Sequence, residues 1–137
     1  MGEARLLINI DVPDIEQGVA FCTAALGLRV GRRFGPKFAE LLGSDAPIYL
    51  LEKAAGTSIG PAGGDVRRYE RHWSPIHPDF VVEDIGVAVA RAIAAGAVQE
   101  GDLCDAPYGK LAMFADPFGH GFCLIEMNQR GYDAIAD

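Results

Sequence analysis

The sequence predicts an α+β fold in which two β-α-β-β-β modules form a cup-shaped sheet. Three observations carry this. Leu111 to Met127 reads as a C-terminal hairpin, the order of strand, helix and strands restarts after a glycine- and proline-rich stretch, and the two halves align when the chain is slid along itself. In the hairpin, two apolar runs flank Asp116-Pro117-Phe118-Gly119. Aspartate favours the first position of such a turn, proline presets the second and glycine suits the fourth. The second run, Phe122 to Met127, is apolar except for Glu126, so both of its faces are expected to be covered.

Arg5 to Val12 alternates as a strand, with Leu6, Ile8, Ile10 and Val12 on one face and Leu7, Asn9 and Asp11 on the other. Asp14 is placed as a helix N-cap with Gln17 three residues on. Ile15, Val19, Cys22 and Leu26 share one helical face, and Gly27 stands where a C-terminal cap belongs. Strands are expected near 28–34, 37–43 and 47–52, punctuated by Gly35-Pro36 and by Gly43 to Pro47. Residues 53–71 carry Gly56, Gly60, Pro61, Gly63 and Gly64 and then a charged run, which reads as a linker, a lid or both. The pattern then restarts with a strand over Trp73 to Val82, Asp84 as N-cap, and an alanine-rich helix over Ile85 to Ala95 that Gly96 ends. Ile85, Val89, Ala92 and Ile93 form its apolar side. A slide of 70 positions lays Val12 on Val82, Asp14 on Asp84, Ile15 on Ile85 and Val19 on Val89. Module one then spans about 5–52, the linker 53–71, module two about 72–127 and a tail 128–137 within one domain.

The formal net charge of −7 argues against a nucleic-acid partner, since a phosphate polyanion calls for a basic face. The arginines at 29, 32, 33, 67, 68 and 71 form two local clusters, read as solvated or paired with carboxylates. Three unclustered cysteines, 22, 104 and 123, point to a reducing compartment. No apolar run has the length of a membrane span and no leader is visible, so a cytoplasmic protein without membrane attachment is expected.

In each module the apolar face of the first strand (Ile8, Ile10 and Val12; Ile76, Phe80 and Val82) is expected to pack on the helix. The opposite face carries Asn9 and Asp11 in the first module and His77 and Asp79 in the second. Polar side chains pointing inward need partners, which implies a wet or ligand-filled cavity.

The phrase Val12-Pro13-Asp14-Ile15 leads to Ala24-Ala25-Leu26-Gly27-Leu28, and Ala115-Asp116-Pro117-Phe118-Gly119 is followed by Leu124-Ile125-Glu126. With the doubled element order, these resemble the vicinal oxygen chelate superfamily, the group of glyoxalase I, the extradiol dioxygenases, and the bleomycin- and fosfomycin-resistance proteins. The resemblance runs from about Arg5 to Met127 and implies a homodimer, often with cavities built from both chains. In metal-dependent members it implies four ligands, drawn from His, Glu and Gln on the first and fourth strands of each module. By position these fall on Leu7, Tyr49, His77 and Cys123. Leu7 offers no donor, Tyr49 is a rare ligand, and Cys123 could bind zinc only as thiolate. A slip of register would offer Glu52 or Asn9. The set is poor, so no cofactor is expected, a divalent metal being the alternative.

His77 and Asp79, at i and i+2 of one strand, form the sharpest pair, able to act as acid and base or to bind a polar ligand. Asn9, Asp11, Tyr49 and Cys123 are further candidates on the same cavity, with Trp73, Tyr108 and Phe114 as apolar walls. Three functions follow. The first is a metal-free binder of a small organic molecule. The second is a metal-dependent lyase, isomerase or dioxygenase with a degenerate ligand set. The third is a metal-free enzyme that moves protons with His77 and Asp79.

Overall fold

The computed structural model describes residues 2–137. The chain divides into two compact units, Met1–Tyr69 and Glu70–Asp137.

The first unit runs β1 (Ile8–Val12), α1 (Ile15–Leu26), β2 (Arg29–Arg33), β3 (Phe38–Leu42) and β4 (Ile48–Glu52). Its sheet has the order β1-β4-β3-β2, with β1 and β4 parallel and the other pairs antiparallel. Asp14 caps α1 by accepting the Gln17 N–H at 2.9 Å, and Gly27 ends it in the left-handed conformation at φ 66°. The helix packs on β3 and β4, around Val12, Leu41 and Leu50, which are at most 1 % exposed. Gly18 sets this approach, since a Cβ there would stand 3.1 Å from both Leu50 and Val12.

The second unit runs β5 (Asp79–Val81), α2 (Ile85–Ala94), β6 (Val98–Gln99), β7 (Cys104–Ala106), β8 (Gly109–Ala115) and β9 (Gly121–Met127), followed by a single 3₁₀ turn at Gly131–Ala134. Its order is β5-β9-β8-β6, with β7 also paired to β8 and β5 parallel to β9. The parallel pairing of first and last strand therefore recurs in both units. Asp84 caps α2 through the Val87 N–H at 3.1 Å. In the hairpin turn the Gly119 N–H donates to the Asp116 carbonyl, while Asp116 Oδ1 accepts from the backbone N–H groups of Phe118 and His120. His120 is half-buried, its ring edge-on to that of His72 at 6.3 Å. Phe122, Cys123, Leu124 and Ile125 are all buried, as expected of a strand covered on both faces.

Four expectations need correction. The first strand starts at Ile8, not Arg5, because its partner β4 starts at Ile48: the Ile8 N–H is held by the Pro47 carbonyl, and residues 5–7 have no strand beside them. Leu6 and Leu7 are accordingly 67 % and 51 % exposed. The strand expected over Trp73 to Val82 shrinks to Asp79–Val81. Pro75 and Pro78 lack the N–H a ladder needs, and Ser74 turns the chain by bonding the Ile76 N–H and carbonyl. Ile76 is thus 83 % exposed and does not pack on α2. On α2 the buried face is Ile85, Ala88 and Ala92, a spacing of three and four, which leaves Ile93 half exposed.

The stretch from 53 folds back on the first unit through polar contacts. Gly56 and Thr57 exchange backbone hydrogen bonds with Arg67, the Tyr69 hydroxyl donates to the Lys53 carbonyl, and Arg67 Nε reaches Asp11 Oδ2 at 2.8 Å. Arginine clustering resolves into ion pairs: Arg32–Glu40, Arg33–Glu16, Arg67–Asp11, Arg68–Asp65 and Arg71–Glu100. Among the described residues no helix is long and apolar enough to cross a membrane.

Candidate functional site

The second unit holds a cavity of about 190 Å³ whose lining includes Arg71, Trp73, Ile76, His77, Glu100 and Met113. Its floor is set by strand register. Asp79 on β5 faces Cys123 on β9, which faces Met113 on β8, and directly opposed residues project to the same face. The Cys123 N–H donates to the Pro78 carbonyl at 3.0 Å, which fixes the approach of the His77–Asp79 segment to β9. His77 Nε2 lies 3.3 Å from Asp79 Oδ1, and ligating atoms of His77, Asp79 and Cys123 all lie within 4.8 Å of one another. At the rim, Arg71 is clamped by both oxygens of Glu100 at 2.8 and 2.9 Å and lies against Gly121, where a Cβ would come within 2.9 Å of the guanidinium.

Burial, with the Asp79 carboxylate beside it, pushes the Cys123 thiol up to about 11. The thiol is therefore protonated near neutrality and is no ready nucleophile. His77 and Asp79 differ from it in being largely accessible, their side chains 52 % and 36 % exposed. A carboxylate at hydrogen-bond reach orients an imidazole and fixes which nitrogen faces a ligand.

The expected site residues fall in separate places. His77, Asp79 and Cys123 come together, and Trp73 lines the same cavity at 83 % exposure. Phe114 also borders it but is only 1 % exposed, its ring stacked on Phe122 at 5.4 Å, so its bulk belongs to the core. Tyr108 is not part of the lining; its ring packs edge-on against Tyr132 at 5.1 Å. In the first unit, Asn9 is exposed and Asp11 is engaged by Arg67. Tyr49 is buried, and its hydroxyl donates to Glu40 Oε2 at 2.9 Å.

Glu40 was not foreseen. It is 5 % exposed and holds Arg32 through both carboxylate oxygens, at 3.1 and 2.7 Å, while Oε1 also accepts the Arg32 backbone N–H. These hydrogen bonds, with that of Tyr49, lower its carboxyl to about 2. Arg71, Glu100 and Met113 were missed as well. Arg71 carried a signal in its cluster, but nothing in the sequence pairs it with Glu100.

The four positions that the resemblance implies for a metal do not fit one. Leu7 has no donor and lies outside β1, and the Tyr49 hydroxyl is committed to Glu40. Glu52, the alternative by slip, accepts the Ile15 N–H at the start of α1 and stands 3.8 Å from Lys37. Only His77 and Cys123 remain of that set.

A family model described as a glyoxalase-like domain matches residues 7–125. Two relatives are named anthracycline biosynthesis proteins. DnrV of Streptomyces peucetius is 33 % identical over 118 residues, 85 % of this chain and 38 % of its own. DauV of Streptomyces sp. strain C5 is 30 % identical over 132 residues, 95 % of this chain and 43 % of its own. The chain thus spans about two fifths of the length of these relatives. Among solved structures, the fosfomycin resistance protein FosX of Listeria monocytogenes, complexed with Mn(II), superposes with a TM-score of 0.71 at 19 % identity, over 95 % of this chain and 94 % of its own.

Proposed function

This chain belongs to the glyoxalase-like domain family of the vicinal oxygen chelate superfamily, and from that premise we propose that it binds a small, planar aromatic molecule in the cavity of its second unit. One observation carries the reading: Trp73 and Ile76, each 83 % exposed, stand beside Met113, 44 % exposed, on a cavity that also presents His77 and the Arg71–Glu100 pair. Apolar side chains converging in water around a few polar groups are the usual make-up of a small-molecule site. A space of about 190 Å³ is below the ~300 Å³ typical of sites that enclose a drug-sized ligand. The ligand therefore puts one ring into the cavity and lays the rest against Trp73, with a phenol or carbonyl toward His77. The family's four-ligand metal set plays no part in this reading. The names of the two Streptomyces relatives make an anthracycline the first probe to try. Homodimeric assembly and a cytoplasmic location, expected from the resemblance and the cysteines, remain part of the proposal.

The test is calorimetric titration of the purified chain with an anthracycline and with a simple bicyclic phenol. Saturable binding of either, weakened by Trp73→Ala, supports the reading; no saturable heat from both up to their solubility limits overturns it.

The 3.3 Å contact of His77 Nε2 with Asp79 Oδ1 favours a second reading, proton transfer on the bound molecule. His77→Ala separates the two, since turnover would vanish while apolar-dominated binding survived.

A further inference from the structure

We propose that Arg71 is the specificity-determining residue of the second unit's cavity, and that it selects aromatic molecules carrying a neutral carbonyl oxygen, as in an aryl ketone or a quinone. The inference rests on the reading of this cavity as an aromatic-binding site and adds what the ring must carry. A guanidinium presents five N–H donors in one plane. In Arg71, Nε and Nη2 donate to the two oxygens of Glu100 at 2.8 and 2.9 Å, and Nη1 donates to the His72 carbonyl. Among the described residues these bonds leave one N–H on Nη1 and one on Nη2 for a ligand. The same two nitrogens lie over Gly121, where a Cβ would stand 2.9 Å from Nη2 and 3.1 Å from Nη1. Arg71 and Gly121 both line the cavity.

The guanidinium is held from three sides. Its backbone is seated on Gly119, where a Cβ would stand 3.1 Å from the Arg71 N and closer still to the Glu70 carbonyl. Glu100, which grips the head group, is itself tied to β8, its N–H donating to the Met113 carbonyl at 2.8 Å. Gly121 supplies a floor without a side chain. A fork fixed in this way needs little ordering when a ligand arrives.

The Arg71 side chain is 45 % exposed, so in the open cavity its two spare donors are hydrated. A ring packed against Trp73, Ile76 and Met113 displaces that water, and a hydrocarbon returns no acceptor in its place. A carbonyl oxygen has two lone pairs and can accept both N–H groups. A carboxylate gains less. The charge of Arg71 is already matched by Glu100, and the Asp79 carboxylate stands beside His77 at the same cavity.

Equilibrium dialysis of 2-acetylnaphthalene, 2-ethylnaphthalene and 2-naphthoate against the full chain compares three substituents on one ring system. The ketone should bind at least about tenfold more tightly than the hydrocarbon, the gain of a hydrogen bond to a charged group. It should also bind more tightly than the carboxylate. Arg71→Ala and Arg71→Lys should both bring the ketone-to-hydrocarbon ratio within about threefold, since lysine lacks the planar fork. Should Arg71→Ala perturb folding, Gly121→Ala should narrow the ratio in the same way, because its Cβ displaces only the far end of Arg71. Glu100→Gln removes the matching charge and keeps the shape, so 2-naphthoate should gain on the ketone, a change of order that a merely structural pair would not produce. A parent chain with equal affinity for ketone and hydrocarbon, a ratio that survives Arg71→Lys, 2-naphthoate binding as tightly as the ketone, or no gain for it in Glu100→Gln would overturn the inference and leave aromatic binding intact. So would failure of the ketone to bind a chain that binds the bicyclic phenol. Silence from all three probes, the phenol and the anthracycline would overturn the aromatic reading itself, and this inference with it.

Discussion

Removing the Glu126 carboxylate tests whether the family-like Leu124-Ile125-Glu126 phrase serves the scaffold or the site. Glu126 Oε1 accepts the Ile85 N–H at 3.0 Å, and in the first unit Glu52 Oε1 accepts the Ile15 N–H at the same 3.0 Å. Each N–H belongs to the first residue of its helix, one of the amide groups that have no partner within a helix. In Glu126→Ala a part-buried donor loses a charged acceptor, a loss of roughly 1.5–3 kcal/mol. Glu126→Gln keeps an acceptor oxygen and loses only the charge at the positive end of the helix dipole, about 0.3–1 kcal/mol. At a few degrees of melting temperature per kcal/mol, the alanine variant should melt roughly 6–10 °C lower and the glutamine variant about 1–4 °C lower. Circular dichroism at the helix band measures both, and binding of the aromatic probe at low temperature should be unchanged in either. The reasoning fails if Glu126→Ala lies within about 0.5 kcal/mol of the parent chain, or if the glutamine variant is as damaged as the alanine one.

Three further outcomes are expected. Gly109→Ala should cost more than about 3 kcal/mol in urea denaturation, because at φ 147° its Cβ would lie 2.0 Å from the Glu126 carbonyl oxygen, a backbone atom that cannot step aside. Acid should erode the first unit through Glu40, whose carboxyl falls from an ordinary 4.5 to about 2, chiefly by the Arg32 hydrogen bonds. A lowered carboxylate contributes fully above its unfolded value and is lost as pH falls through the folded one, so melting temperature should drop between about pH 4.5 and 2, with a flatter limb in Glu40→Gln. Trp73→Ala should weaken binding of the aromatic probe roughly 50-fold: covering one face of the indole removes about 100 Å² of apolar surface from water, worth roughly 2.5 kcal/mol. With Trp73 83 % exposed, the same variant should leave the melting temperature nearly unmoved; an unchanged affinity would remove Trp73 from the site.

What could be read from the sequence had local causes. Asp14 and Asp84 were legible as caps because a short acidic side chain before an apolar period serves few other purposes, and both cap their helices. The Asp116–Gly119 turn was legible because its chemistry is contained in four residues. Where a partner far along the chain decided the outcome, reading stopped. Residues 5–7 keep the strand alternation but lack a neighbour because β4 starts only after Pro47, and Trp73 to His77 keep apolar content that two prolines remove from the sheet. Glu40 sits in a run, Phe38 to Leu42, that reads as an ordinary core strand. Its carboxylate fits only because Gly31 leaves room across the irregular β2–β3 pairing, where a Cβ would come within 2.6 Å of Glu40 Oε1. No local pattern signals such an arrangement.

Strand parity explains why the fold was easier to recognise than the chemistry. On the last strand of each unit, Glu52 lies three residues beyond Tyr49 and Glu126 three beyond Cys123, so within each pair the side chains project to opposite faces. Glu52 and Glu126 hold the first amides of α1 and α2, which every copy of this scaffold must satisfy in some way, whereas Tyr49 and Cys123 occupy the face left to chemistry. Substitution on that face leaves these two helix caps untouched. In the first unit the face has become a closed polar knot of Tyr49, Glu40 and Arg32, and in the second an open cluster of His77, Asp79 and Cys123. The two units thus share helix-capping carboxylates on one face of the last strand and differ on the other face.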